Sequence, residues 1–154
     1  MADSLLRSSY VMAGRIKTHY SEIGHNGPPV VLCHGGRAGS SGEAGFAALM
    51  HEMGKKYRVY ALDSVGGYGN TDPYFPCTEG VQSRVDQLEA FMDALCLDQV
   101  YLSGNSQGAW VAAKYARPRP MARFEEARKS ASDALSPGRL RRSEPAARTS
   151  RLRA

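Results

Sequence analysis

The chain has 154 residues, 42% of them hydrophobic, and no apolar run approaches the roughly eighteen residues of a membrane-spanning helix, so one soluble domain without a membrane partner is expected. No signal-peptide stretch opens the sequence, and Cys33, Cys77 and Cys96 are few, odd in number and without ligand spacing, which predicts a cytoplasmic protein with inert thiols and no metal site. The formal charge of +5 averages two unlike parts: residues 1–116 hold nine Lys or Arg against eleven Asp or Glu, residues 117–154 eleven against four.

In chain order, residues 10–13 and 15–23 read as a hairpin turning at Gly14, closed off by the turn-rich Gly24-His25-Asn26-Gly27-Pro28-Pro29. The continuous apolar run Val30-Val31-Leu32-Cys33 predicts a strand buried on both faces. A glycine-rich loop over 34–42 leads into a helix over 43–53, and residues 57–62 form the next strand, ending at Asp63. A second glycine- and proline-containing loop spans 64–77. Val81, Val85, Leu88, Met92 and Leu95 then recur at helical spacing, so a helix over about 78–95 presents one apolar face. Residues 100–103 form the last strand. Alternation of this kind predicts an α/β fold, a largely parallel sheet with helices on both faces and its site beyond the carboxyl ends of the strands.

Three motifs sit at those strand ends: His34-Gly35-Gly36-Arg37-Ala38-Gly39, Asp63 with Gly67-Tyr68-Gly69-Asn70-Thr71-Asp72, and Gly104-Asn105-Ser106-Gln107-Gly108. The last places a serine at a glycine-flanked turn between strand and helix. Glycines two residues to either side let strand and helix approach, and the strained turn presents the hydroxyl. Such a serine needs a base, because its hydroxyl is a weak nucleophile at its free pKa.

Together these motifs resemble the α/β-hydrolase family over residues 10–116, and their form is most similar to the branch that cleaves carbon–carbon bonds in ring-fission products. The resemblance implies the first part of an α/β-hydrolase sheet and a serine hydrolase of a small organic molecule, an ester or a ring-fission product, with no cofactor. It makes Ser106 the nucleophile and the backbone N–H groups of Gln107 and Gly36 the oxyanion hole. Asn105 either contacts substrate or only supports the turn. Arg37 either binds a carboxylate or points to water. His34, with Gly35, positions the oxyanion loop through hydrogen bonds and transfers no proton, and Asp63 acts as a cap or brace. Nothing marks His19, His25 or His51 as functional.

In this family the acid and then the histidine follow the serine. No histidine follows Ser106, and the only later carboxylates are Glu125, Glu126, Asp133 and Glu144. The triad is therefore expected to be incomplete and the chain impaired, a truncated or frameshifted copy in which residues 100–103 become an exposed edge strand. Residues 117–154 contain few large apolar side chains, which predicts a short helix over 124–135 and disorder beyond Pro137.

Two alternatives stand beside the hydrolase. A strand, glycine loop and helix followed by a strand ending at Asp63 also describe a dinucleotide-binding unit, although the loop reads Gly-Gly-x-x-Gly where that unit needs Gly-x-Gly-x-x-Gly. An arginine-rich tail on a noncatalytic protein would attract polyanions nonspecifically, and no nucleic-acid motif accompanies it.

Overall fold

A computed structural model describes residues 5–117. The expected helix over 124–135 and the disorder beyond Pro137 lie outside the described residues. Among the described residues five strands and three helices follow one another as β1 Arg7–Ala13, β2 Ile16–Ile23, β3 Pro29–Cys33, α1 Gly42–Met53, β4 Arg58–Leu62, α2 Val81–Ala94, β5 Tyr101–Gly104 and α3 Gln107–Ala116.

The sheet order is β1-β2-β4-β3-β5. β1 and β2 form an antiparallel hairpin from Arg7↔Glu22 to Ala13↔Ile16, joined by Gly14 and Arg15. Gly14 has φ 59, which a glycine adopts without steric cost at the first central position of a two-residue turn. β2 runs antiparallel to β4, while β4, β3 and β5 are mutually parallel. The hairpin, the parallel strands and the helices agree with the α/β expectation.

Strand alternation divides the core in two. Val31 and Cys33 of β3 and Leu62 of β4 face a cluster containing Val85, Leu88, Phe91 and Met92 of α2 and Val111 of α3. Val30 and Leu32 of β3 and Val59 and Ala61 of β4 face the other way, onto Met50 and Phe46 of α1. Helices therefore cover both faces, and the apolar run of β3 is buried on both because successive side chains point to opposite sides.

Several boundaries differ from the sequence reading. β1 starts at Arg7 rather than residue 10, because its seven-pair register with β2 carries polar side chains that no apolar alternation announces. α2 starts at Val81 rather than 78: Gly80 has φ 55 and ψ −115, a conformation that ends the preceding turn and sets off the helix. β5 runs one residue further, through Gly104.

From β3 the chain crosses to β4 on one side and returns to β5 on the other, so strand order reverses at β3. A crevice opens at such a reversal, beyond the strand ends. Among the described residues β5 is paired only with β3 and forms one edge of the sheet.

Candidate active site

The turn from β5 into α3 holds Ser106 at φ 53 and ψ −119, outside the regions a side chain normally permits. Its two glycines are sterically required. A Cβ on Gly104 would collide with the Gly108 carbonyl, and one on Gly108 would collide with the Cys33 and His34 carbonyls. Asn105 N–H donates to Cys33 O at 3.0 Å, and Gly108 N–H to Asn105 O at 2.9 Å, so the turn is tied to the end of β3. Ser106 is exposed, and among the described residues its Oγ has no hydrogen-bond partner.

The loop after β3 closes over this turn. An ideal Cβ on Gly35 would stand 3.3 Å from Ser106 Cβ, and one on Gly36 would strike the Gln107 side-chain amide. Gln107 opens α3, where a first-turn N–H has no intrahelical acceptor. Gly36 N–H likewise donates to no acceptor among the described residues. Two free amides thus flank Ser106, one from each loop.

His34 is 2% exposed. Its Nε2 accepts Ser64 N–H at 2.9 Å, which leaves the proton on Nδ1 to be donated to Gly35 O at 2.6 Å. Burial pushes its pKa down, against the raising influence of the Gly35 hydrogen bond, so the ring is held neutral. With both nitrogens engaged, His34 braces the loop and has no free position to accept a proton from Ser106.

A cleft of about 880 Å³ lies over the two loops, lined among others by Arg37, Asn105, Ser106, Gln107 and Trp110. Among the described residues no Asp or Glu lines it. Arg37 is exposed and its backbone N–H donates to Ser40 Oγ at 3.3 Å. Ser41 caps α1, accepting Ala44 N–H at 3.0 Å, so α1 and α3 both present N-terminal ends to the cleft, where partial positive charge favours anions.

One buried pair was not legible as such. His19 Nδ1 donates to Asp63 Oδ2 at 2.8 Å, with side chains 4% and 1% exposed, while Nε2 lies 2.7 Å from Ser8 Oγ. Asp63 also accepts the N–H of Gly42 at 2.7 Å and of Asn70 at 2.8 Å, which ties the start of α1 to the glycine loop after β4. Asp63 is thus a brace, and His19 is its partner. The β2–β4 register, with Tyr20 opposite Leu62, brings them together, and only knowledge of that pairing would have flagged His19. Among the described residues no three His, Cys, Asp or Glu side chains gather as a metal site, and no helix is long and apolar enough to cross a membrane.

The family model for the alpha/beta hydrolase fold matches residues 28–124. The chain belongs to the alpha/beta hydrolase fold family. That membership decides for a hydrolase fold over the dinucleotide-binding unit. Within the family, 106 residues are 40% identical to a 2-hydroxy-6-oxo-2,4-heptadienoate hydrolase of Pseudomonas putida, covering 69% of this chain and 38% of that protein. A 2-hydroxy-6-oxo-6-(2'-aminophenyl)hexa-2,4-dienoic acid hydrolase of Metapseudomonas resinovorans is 33% identical over 108 residues, covering 70% and 36%. Among solved alpha/beta hydrolases, a serine hydrolase involved in carbazole degradation superposes with a TM-score of 0.63 at 33% identity, over 70% of this chain and 41% of that one. The chain spans under two fifths of the length of the two curated relatives.

Proposed function

We propose that this chain carries the nucleophile and oxyanion half of a serine hydrolase acting on a small carboxylate-bearing ring-fission product, by cleavage of a carbon–carbon bond or an ester. The observation that carries the reading is the convergence of Ser106, on its strained turn, with the free N–H groups of Gly36 and Gln107. An oxygen developing negative charge at the carbon attacked by Ser106 Oγ would be met by two amides, an interaction worth about 3 kcal/mol per donor. Named substrates of the relatives are conjugated dienoates. A cleft with Arg37 and two helix N-termini, and no carboxylate on its walls among the described residues, suits such an anion. Arg37 would take the carboxylate and Asn105 a neighbouring polar group.

The base is the missing partner. No histidine follows Ser106 in the sequence, and His34 and His19 are committed to structural hydrogen bonds. Activity of this chain by itself is therefore expected to be slow, resting on the oxyanion donors and on binding. In this reading residues 1–116 carry the nucleophile and its oxyanion donors.

Incubation with a fluorophosphonate probe tests the assignment. Slow labelling that disappears in Ser106→Ala supports it. Labelling that is absent, or that persists in Ser106→Ala, removes Ser106 as a nucleophile.

A further inference from the structure

Arg84 stands in α2, outside the cleft, and is 7% exposed. Its guanidinium carbon lies 4.7 Å from the Tyr68 ring centroid, and an ideal Cβ on Gly66 would be 3.7 Å from Nη2. Buried guanidinium groups normally meet a carboxylate, because an unpaired buried charge is costly. Among the described residues Arg84 has no carboxylate within ion-pair distance, and its buried Nε has no hydrogen-bond partner. Among the described residues its one hydrogen bond to a side chain runs from Nη1 to Gln107 Oε1.

That bond fixes which way the Gln107 amide faces. A guanidinium has only donors, so the oxygen of the amide must turn toward Arg84 and Nε2 must turn away. Gln107 lines the cleft, next to Ser106, and Arg84 does not. We propose that Arg84 is a positioning residue that holds the Gln107 side-chain amide with Nε2 directed into the cleft, where it binds an anionic oxygen of the ligand beside the two backbone donors. The hydrogen-bonded cation polarises the amide and strengthens Nε2 as a donor, since hydrogen bonds in series reinforce each other. The proposal rests on the cleft being the substrate site, but not on Ser106 being reactive.

Trp110 is the only tryptophan of the chain, is 69% exposed and lines the same cleft, so its fluorescence reports occupancy directly. Benzoate is a suitable probe: it brings an anionic oxygen without requiring attack by the serine. Benzoate is expected to change Trp110 emission saturably in the full chain. Gln107→Leu should weaken binding several-fold, and Gln107→Glu, which keeps a partner for Arg84 but turns an acceptor into the cleft, at least about tenfold, the factor a charge-assisted hydrogen bond represents. The melting temperature of Gln107→Glu should not fall, because an ion pair with Arg84 replaces the neutral bond. Arg84→Met should weaken benzoate binding in the wild-type background and leave Gln107→Leu unchanged. Absence of saturable binding to the wild type, or equal affinity in Gln107→Leu, overturns the proposal. An equal loss from Arg84→Met in both backgrounds overturns the positioning role. Fluorophosphonate labelling reads the nucleophile separately, so a chain that is never labelled but loses benzoate affinity in Gln107→Glu retains this inference and loses the hydrolase reading.

Discussion

Gly108 lies against the Cys33 carbonyl so closely that no side chain fits between them, and this contact seats the first turn of α3 on the end of β3. Alanine is the better helix former by about 1 kcal/mol. Gly108→Ala is nevertheless expected to destabilise the protein by about 2 kcal/mol, because the backbone must shift to admit the methyl group. Urea unfolding measures the loss. Fluorophosphonate labelling of Ser106 should fall with it, since the shift moves the serine away from Gly36.

Among the described residues the Asp63 carboxylate collects three donors, from His19, Gly42 and Asn70. Asp63→Ala leaves all three without their acceptor, those of His19 and Gly42 in a buried place, and should cost at least about 3 kcal/mol. His19→Ala should cost less, because two backbone donors still hold the carboxylate. The double variant should be less destabilised than the sum of the two, a coupling of about 1 kcal/mol or more, measured by denaturant unfolding of all four proteins.

The strained turn at Ser106 and the glycine loop after β3 were legible because their geometry is written locally: glycines at fixed offsets from Ser106, and His34-Gly35-Gly36 directly after an apolar run. The same holds for β3, whose burial on both faces follows from four consecutive apolar residues. The His19–Asp63 pair and the Arg84–Gln107 contact join residues 44 and 23 positions apart, and their partners are set by sheet register and helix packing. No local pattern distinguishes His19 from any other strand histidine, or Arg84 from a solvated charge on a helix. The start of α2 has a different reason: the apolar periodicity begins only at Val81, and the backbone at Gly80 sets the helix off there, three residues after Thr78.

His34 carries the clearest pH dependence. Burial lowers its folded pKa below the ordinary value near 6.5, so the unfolded chain binds a proton first as the pH falls. Its contribution is present above the unfolded value and is lost as the pH drops below it toward the folded value. Unfolding free energies at pH 7.5 and 5.5 should therefore differ more in the wild type than in His34→Gln, which cannot titrate. An equal difference in the two proteins would contradict a neutral, buried His34.

Cys33 gives a direct report on the seat of the elbow. It is 2% exposed, at the end of β3, and its carbonyl accepts Asn105 N–H while Gly108 lies against it. Burial pushes its thiol up to about 12, so it is neither accessible nor ionised in the folded chain, whereas Cys96 is exposed and Cys77 partly so. Iodoacetamide should modify Cys77 and Cys96 quickly and Cys33 only after β5 and α3 have lifted from β3. β5 is paired on one side only among the described residues, so this opening is expected to precede global unfolding. Mass spectrometry of the timed modification should show Cys33 protected under native conditions and released in parallel with loss of Ser106 labelling. Gly108→Ala should accelerate both together. Rapid modification of Cys33 in the native wild type would mean that the elbow is not seated on β3 in solution.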